Sequence, residues 1–320
     1  MRCPMKKVLE EIMDAKRIAI SGHIRPDGDC VGSCMGLYLY LKKELPIVEV
    51  DVFLEKPSDV FNCIQGVEQI KDASLYQEEV YDVFLALDCS KDRLGNAEAI
   101  FDRAKKKINI DHHISNAGCG DVNYLRADAS SASELVYELL EEDKLDSEIA
   151  KALYIGIIHD TGVFQYSNTA PATLITASKL ITFGFNFPEL IEETFYEKTF
   201  VQNQIMGRAL LESILFMDGK CIVATISKKM MDFYGVTGKD LDGIINQMRN
   251  TKGVECAIFL YELDNLEYKV SMRSGGQIDV SKIAQFFGGG GHVRAAGCTM
   301  KGTQHDVINN ISAQIEQQLM

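Results

Sequence analysis

Hydrophobic residues alternate between short strand-like runs and longer helical patterns through the first two thirds of the chain. Four apolar runs that are rich in β-branched residues predict strands at 17–22, 48–54, 81–88 and 106–113. These runs are continuously apolar, as in strands that are buried on both faces of a parallel sheet. Helical patterns are found at 30–44, 96–105, 131–142, 147–159, 171–183 and 188–196. The alternation predicts an α/β fold with a doubly wound, mainly parallel sheet.

The pattern changes beyond about residue 200. Residues 214–227 carry the turn-forming pair Asp218-Gly219 between two apolar runs and predict a β-hairpin, and residues 256–274 predict a second one. Helices are predicted at 238–249, 279–287 and 304–318. We therefore expect a smaller, mixed α+β second domain, with boundaries at 1–195 for the first domain, 196–212 for a connecting segment and 213–320 for the second domain.

Length and charge agree with two globular domains and limit the substrates. The chain has 320 residues, of which 46% are hydrophobic and 25% charged. Its net charge of −13 is concentrated in residues 1–209, with 22 basic against 34 acidic residues, whereas residues 210–320 have 11 against 12. A broad basic surface for long duplex nucleic acid is therefore not expected. A small anionic substrate remains compatible, because a bound cation reverses the local field.

The cysteines and the N-terminus indicate a cytoplasmic protein. The nine cysteines form an odd set without a C-x-x-C pair, which favours reduced thiols over a disulfide framework or a zinc knuckle. Residues 1–17 contain no apolar signal-peptide core, and no apolar run reaches 18 residues. We expect neither a signal peptide nor a membrane span.

Carboxylates and imidazoles follow the predicted strands, where open α/β sheets bind their ligands. They come after the first, third and fourth strands and at the end of helix 147–159: His23, Asp27, Asp29, Asp88, Asp111, His112, His113 and Asp160. Oxygen and imidazole donors without a thiolate suit Mn²⁺, Fe²⁺, Mg²⁺ or Zn²⁺, with Mn²⁺ the first choice for a mixed set. A carboxylate shared between two cations is the usual scaffold of two-metal phosphoryl chemistry.

Each motif by itself has a plainer interpretation. An Asp at a strand end is commonly a helix cap, and Pro26-Asp27-Gly28 is a turn signal. A His-His pair often only packs against its neighbours, and Asp160-Thr161-Gly162 could end a helix or belong to an aspartic-protease loop. The protease interpretation needs a second such loop, which the sequence lacks. The combination of four motifs at ligand-binding positions favours a metal site.

These motifs resemble those of the DHH phosphoesterase superfamily. The resemblance rests on His23-x-x-x-Asp27-x-Asp29, Asp88, Asp111-His112-His113 and Asp160-Thr161-Gly162. The sequence Gly-Gly-Gly-Gly-His-Val-Arg-Ala-Ala-Gly at 288–297 resembles the signature of the associated DHHA1 domain. The motifs extend from residue 22 to residue 297, so the resemblance covers nearly the whole chain.

The resemblance implies a role for each matching residue. One metal would be bound by His23, Asp27 and Asp88, and a second by Asp29, Asp88, His112 and Asp160. His113 would face the substrate phosphate as a catalytic residue, with Asp111 orienting a ligating imidazole. The glycine-rich run could be a flexible turn, but with its neighbours it favours a phosphate cradle formed by Arg273, Gly289, Gly290, Gly291, His292 and Arg294. Arg273 is also expected to stabilise charge during catalysis.

The family resemblance implies a two-metal phosphoesterase that hydrolyses short oligoribonucleotides and 3′-phosphoadenosine 5′-phosphate (pAp) to mononucleotides. Alternatives are a phosphodiesterase for cyclic or linear dinucleotides, an exopolyphosphatase, and a metal-retaining nucleotide sensor without catalysis. The expected partner is a small nucleotide or a short single-stranded RNA, and the family leaves a homodimer open.

Overall fold

The computed structural model describes Val8, Glu11, Ile12 and residues 14–319. The chain forms two compact units, Met1–Glu197 and Lys198–Met320. Cys3 lies outside the described residues. Within the predicted connecting segment 196–212, residues 200–211 form a helix.

The first unit contains a five-stranded sheet in the order β2-β1-β3-β4-β5. Its strands are β1 Arg17–Ser21, β2 Glu49–Phe53, β3 Val83–Leu87, β4 Lys106–Asp111 and β5 Val122–Leu125. All neighbouring strands are parallel, which confirms the predicted fold class. The sequence analysis missed β5, a four-residue strand at the edge of the sheet.

From residue 28 onwards, six α-helices accompany this sheet, and they occupy the predicted regions with shifted ends. They are α1 Gly28–Glu44, α2 Glu98–Arg103, α3 Ala132–Leu139, α4 Ser147–Asp160, α5 Pro171–Ile181 and α6 Phe187–Ile191. A π-helical turn, Glu192–Tyr196, follows α6. Several helices begin after a side-chain cap, for example α4 after Asp146, whose carboxylate accepts from two backbone N–H groups.

Successive residues of the central strands pack on opposite faces of the sheet. Ile18 and Ile20 belong to the core that contains α1 and α4, whereas Ala19 and Phe84 belong to a separate core on the other face. There the ring of Phe84 lies 5.2 Å from that of Phe101 in α2. Because both faces are covered by helices, the unit is doubly wound and most residues of its central strands are buried.

The second unit contains a mixed six-stranded sheet in the order β10-β11-β9-β8-β7-β6. Its strands are β6 Ile214–Phe216, β7 Cys221–Ile226, β8 Cys256–Asp264, β9 Glu267–Ser274, β10 Gly290–His292 and β11 Ala295–Lys301. Both predicted hairpins are confirmed, since β6/β7 and β8/β9 pair antiparallel. The pair β7/β8 is parallel, which makes the sheet mixed. The glycine-rich run thus includes an edge strand, β10.

Helices also flank this second sheet. They are α7 Phe200–Leu211, α8 Lys228–Tyr234, α9 Ile244–Arg249, α10 Val280–Phe286 and α11 Gln304–Leu319. Alternate residues of β7 again face different cores, with Ile222 packing near α9 and Val223 packing near α10 and α11. In the described part of the chain, no helix combines the length and the apolar composition that a bilayer span requires.

Candidate metal centre

The carboxyl ends of β1, β3 and β4 lie at one edge of the first sheet, and polar residues follow each of them. His23 comes two residues after β1, Asp88 directly follows β3, and Asp111 ends β4. The Nε2 atom of His23 lies 3.4 Å from Asp88 Oδ2. The parallel order of these strands therefore brings together groups that are far apart in the sequence.

Asp27 is both a helix cap and a member of this cluster. Its Oδ1 atom accepts from the backbone N–H groups of Asp29 and Cys30, each at 3.1 Å, so that α1 begins at Gly28. Its Oδ2 atom lies 3.6 Å from His23 Nε2. One oxygen of this carboxylate therefore caps the helix, and the other lies beside His23.

Asp29 is buried against the beginning of α3. Its carboxylate accepts from the backbone N–H groups of Ala132 at 2.6 Å and Ser133 at 2.8 Å. Burial, followed by the nearby carboxylates of Asp88 and Asp160, raises the pKa of Asp29 well above its ordinary value. A positive charge beside this group would be stabilised strongly, because little water is present to screen it.

Asp160 reaches the cluster from the end of α4. Its Oδ2 atom lies 3.6 Å from His112 Nε2 and accepts from Asn168 Nδ2 at 3.2 Å. Burial raises the pKa of Asp160 to about 7. The helix can come this close because α4 crosses α1 at glycines. A Cβ atom on Gly32 would lie 2.5 Å from the carbonyl oxygen of Ala152.

The donor atoms form two sets that share Asp88. Its Oδ2 atom faces His23, and its Oδ1 atom lies 3.3 Å from His112 Nε2. The first set is His23, Asp27 and Asp88, and the second is Asp29, Asp88, His112 and Asp160. Asp88 has a positive φ of 58°, a conformation that Asp tolerates better than most residues. This conformation lets one carboxylate serve both sets.

The charge of the cluster fits divalent cations. Burial disfavours the charged imidazole of His23, but the nearby carboxylates of Asp27 and Asp88 outweigh it and raise its pKa to about 12. Burial also disfavours the charged form of His112, but the nearby carboxylates, mainly that of Asp88, raise its pKa to about 10. The carboxylates thus require positive charge, which protons or cations supply. Buried atoms without a hydrogen-bond partner include Asp88 Oδ1 and His112 Nε2.

Asp111 contacts the imidazole of His113. It was expected to orient a ligating imidazole, yet its Oδ1 atom lies 2.8 Å from Nδ1 of His113, while the His112 ring faces Asp88. Asp111 also accepts from the backbone N–H of His112 at 2.7 Å and from Asn116 Nδ2 at 2.5 Å. It therefore fixes the His113 ring directly and His112 only through the backbone.

The sequence analysis missed a sulfur atom beside the cluster. A ligand atom of each of His23, Cys30 and Asp88 lies within 4.8 Å of the other two. The expected donor set had no sulfur. Cys30 is fully buried, and burial raises the pKa of its thiol. Its position three residues after Asp27, in the first turn of α1, was the signal that could have identified it.

In the second unit, two of the predicted substrate-binding side chains share one face of the sheet. His292 on β10 pairs with Ala295 on β11, and Ala295 pairs with Arg273 on β9. Directly paired residues of antiparallel strands point to the same face. The small Ala295 therefore separates the imidazole of His292 from the guanidinium of Arg273.

Close backbone packing requires two of the glycines before His292, Gly289 and Gly291. A Cβ atom on Gly289 would lie 2.2 Å from the carbonyl oxygen of Gly297, and one on Gly291 would lie 2.5 Å from that of Ala295. Gly290 has open space around it. Arg294 lies in the turn between β10 and β11, with its guanidinium beside Gly276. The run therefore contains the short strand β10, followed by a turn to β11.

Models of known protein families match both units. The model of the DHH family, N-terminal domain, matches residues 17–157, and that of the DHHA1 domain matches residues 218–320. The chain is 28% identical to the bifunctional oligoribonuclease and PAP phosphatase NrnA of Bacillus subtilis (strain 168), over 88% of this chain and 89% of that protein. It is also 28% identical to the protein of that name from Thermus thermophilus, over 94% and 90% of the two chains.

Solved structures show the same architecture. An exopolyphosphatase-related protein from Bacteroides fragilis superimposes with a TM-score of 0.92 at 25% identity, covering 99% of this chain and 96% of that chain. RecJ from Thermus thermophilus, solved in complex with Mn²⁺, has a TM-score of 0.53 at 14% identity and shares the fold. That superposition covers 98% of this chain but 53% of RecJ.

Proposed function

Because this chain belongs to the DHH phosphoesterase family, whose members are metal-dependent hydrolases, and carries a DHHA1 domain, we propose that it hydrolyses short oligoribonucleotides and pAp to mononucleotides. The observation that carries the proposal is the pair of donor sets joined by Asp88, since such a bridge suits two-metal phosphoryl chemistry. The relatives named for oligoribonuclease and PAP phosphatase activity match about nine tenths of the chain and support this substrate class.

In this proposal, His23, Asp27 and Asp88 would hold one divalent cation. Asp29, Asp88, His112 and Asp160 would hold a second one. Mn²⁺ is the first choice, because the donors are carboxylate oxygens and imidazole nitrogens. Such cations neutralise charge on the phosphoryl oxygens and lower the pKa of the attacking water.

His113 and Asp111 act on the proton of the leaving group. Asp111 holds the Nδ1 atom of His113 at 2.8 Å, which fixes the ring and its tautomer. When the ring is doubly protonated, the opposite nitrogen, Nε2, donates its proton to the leaving oxygen as general acid and leaves the neutral imidazole with hydrogen on Nδ1. Asn116 keeps Asp111 in place by donating to its second oxygen.

The second unit binds the phosphate end of the substrate. Arg273 offers a planar guanidinium that can contact two phosphate oxygens at once, and it also balances the charge that develops during the reaction. His292 lies on the same sheet face, and Arg294 follows in the turn. The backbone N–H groups of Gly289, Gly290 and Gly291 can approach an anion closely because these residues lack side chains.

A second candidate is an exopolyphosphatase. The TM-score of 0.92 with an exopolyphosphatase-related protein favours it, because the fold agrees over nearly both chains. The two candidates differ in what they require beyond phosphate. An oligoribonuclease must accommodate a base and a ribose, whereas a polyphosphatase binds phosphate groups alone.

We place the protein in the cytoplasm. The eight cysteines within the described residues are all free thiols, as is usual in a reducing compartment. A homodimer remains a prediction.

Hydrolysis assays with Mn²⁺ test the function. We expect cleavage of pAp and of a 5′-labelled RNA series from dinucleotide to pentanucleotide, with less activity on cyclic di-AMP and polyphosphate. Asp88→Ala should lower activity by about 100-fold or more, since even groups that only orient metal ligands contribute 10- to 100-fold. Bound metal, measured by plasma mass spectrometry, should fall in the same variant.

Asp128→Ala is the matched control, because Asp128 is an exposed carboxylate of the same unit and its side chain is 75% accessible. It should retain both activity and metal. Preference for polyphosphate would favour the second candidate, and preference for cyclic di-AMP would assign a dinucleotide phosphodiesterase. If Asp88→Ala retains its metal content, the proposed metal centre is wrong.

A further inference from the structure

A cavity of about 660 Å³ lies beside the candidate metal centre within the first unit. Residues Ser21, Gly22 and His23 form part of its lining where the chain leaves β1, and Glu55 contributes just after β2. We call it the β1–β2 pocket. Its volume lies within the roughly 300–1,000 Å³ of typical small-molecule sites. Because His23 belongs both to the metal cluster and to this lining, a ligand bound at the metals can extend into the pocket.

The apolar part of the lining suits a flat ring. Two helical turns and the end of β2 supply it, through Phe53, Leu54, Val67, Ile70, Leu94 and Ala97. Val67 and Ile70 are partly exposed, so that they offer apolar surface to a ligand. Asn62 and Asn96 line the pocket from different segments, and both are exposed. Each amide has a donor and an acceptor group, as recognition of a nucleobase edge requires.

The charge of the lining disfavours a phosphate. Its carboxylates outnumber its ammonium groups, and they belong to Glu55, Asp59, Glu68 and Asp72. The two ammonium groups are engaged by carboxylates: Lys71 Nζ lies 2.7 Å from Asp51, and Lys56 Nζ lies 3.3 Å from Asp59. An anion would therefore meet net negative charge, whereas hydroxyl and amino donors would find acceptors.

We propose that the β1–β2 pocket is a nucleoside subsite, which takes the base and ribose attached to the phosphate at the metal centre. This inference rests on the proposed function and adds which end of the substrate enters the pocket. In an RNA dinucleotide, the nucleoside that enters the pocket carries no second phosphate, and a phosphate added at that end is disfavoured. The adenosine of pAp carries two phosphates and would therefore not be placed in this pocket. Polyphosphate cannot use the pocket for the same reason.

Filling the pocket tests the inference. Asn96→Trp should raise the KM for an RNA dinucleotide by about tenfold or more, because loss of one well-packed contact is commonly worth that factor. Hydrolysis of bis(glyceryl) phosphate, a phosphodiester without a nucleoside or an aromatic ring, should stay within about twofold. Titration of adenosine by calorimetry should show binding to the wild type and weaker binding to the variant.

A charge variant and a control keep the test independent of a folding defect. Glu68→Lys should lower the KM for dinucleotides that carry an added terminal phosphate. The KM for dinucleotides without that phosphate should fall less. Asn265→Trp, at an exposed turn of the β8–β9 hairpin, should change the hydrolysis of neither substrate. Thermal melting should show that each variant is folded.

The outcomes separate this inference from the proposed function. Unchanged dinucleotide KM in Asn96→Trp, or an equal loss on both substrates, overturns the nucleoside subsite. If the wild type cleaves neither RNA nor the nucleoside-free diester, the proposed function itself fails. Binding of adenosine that Asn96→Trp leaves intact places the nucleoside elsewhere and also overturns the inference.

Discussion

At the scale of single residues, carboxylates of this protein have more than one task. Asp27 caps α1 with one oxygen and faces His23 with the other. Asp29 holds the beginning of α3 and lies 3.8 Å from His112 Nε2. Because the same groups organise backbone and face the cluster, the donor geometry is built when the helices form.

Asp82 offers a pH test of a carboxylate far from the cluster, since it precedes β3 rather than following it. It accepts from Lys105 Nζ at 2.8 Å and from the backbone N–H groups of Lys16 and Arg17. The Lys105 ammonium, followed by these N–H groups, lowers the pKa of Asp82 to about 2. The ionised form is therefore stabilised in the folded state.

Replacing Asp82 by Asn should lower the free energy of unfolding at about pH 7, where Asp82 is ionised. A folded-state pKa below the unfolded value of about 3.9 gives a contribution that is complete above that value. The difference between the wild type and the variant should shrink as the pH falls from about 4 towards about 2. Urea unfolding at several pH values measures it. A difference that is constant with pH contradicts the assignment.

At the scale of elements, the crossing of α1 and α4 determines where Asp29 and Asp160 lie. Gly32 on α1 meets the backbone of α4 at Ala152 and Gly156. A Cβ atom on Gly156 would lie 1.9 Å from Ser133 Oγ and 2.8 Å from Asp29 Oδ1. Small residues at the crossing thus bring three helices, α1, α3 and α4, to one point of the site.

Gly32→Ala should lower the free energy of unfolding by about 1–3 kcal/mol, because the added methyl group meets backbone that cannot rotate away. It should also reduce metal content, since α4 carries Asp160. Chemical unfolding and metal analysis check both effects. The control is Gly207→Ala in α7, where a Cβ atom meets nothing within 4 Å. There the change should stabilise the helix by up to about 1 kcal/mol, and a destabilisation as large as that of Gly32→Ala would contradict the crossing argument.

At the scale of the whole molecule, the two units carry different chemistry. The acidic groups are concentrated in the first, and the predicted phosphate-binding groups lie on β9, β10 and β11 of the second. Metal binding and phosphate binding should therefore respond to different substitutions in the full chain.

Arg273→Lys should raise KM for pAp by about tenfold, because an ammonium group cannot reproduce the two parallel hydrogen bonds of a guanidinium. Metal content should stay at the wild-type level, opposite to the result expected for Asp88→Ala. Arg249→Lys, an exposed substitution at the end of α9, should leave both unchanged. Loss of metal in Arg273→Lys, or an unchanged KM, would contradict the division of roles.

The sequence by itself predicted the α/β class, the parallel sheet, both hairpins and the carboxylates and imidazoles that the structure groups around Asp88. These features depend on local periodicity and on motif spacing, which a linear sequence contains. It missed β5 and α8, which have four and seven residues, because such short segments have little periodicity of their own.

Only the tertiary structure decided which atoms meet. Asp29 and its hydrogen-bond partner Ala132 are 103 positions apart, and their contact exists because α1 and α3 converge. The tertiary structure also decided three other features. They are the contact of Asp111 with His113 rather than His112, the position of Cys30 beside His23, and the β1–β2 pocket. Side-chain directions follow from the packing of distant elements, and no spacing along the chain encodes that packing.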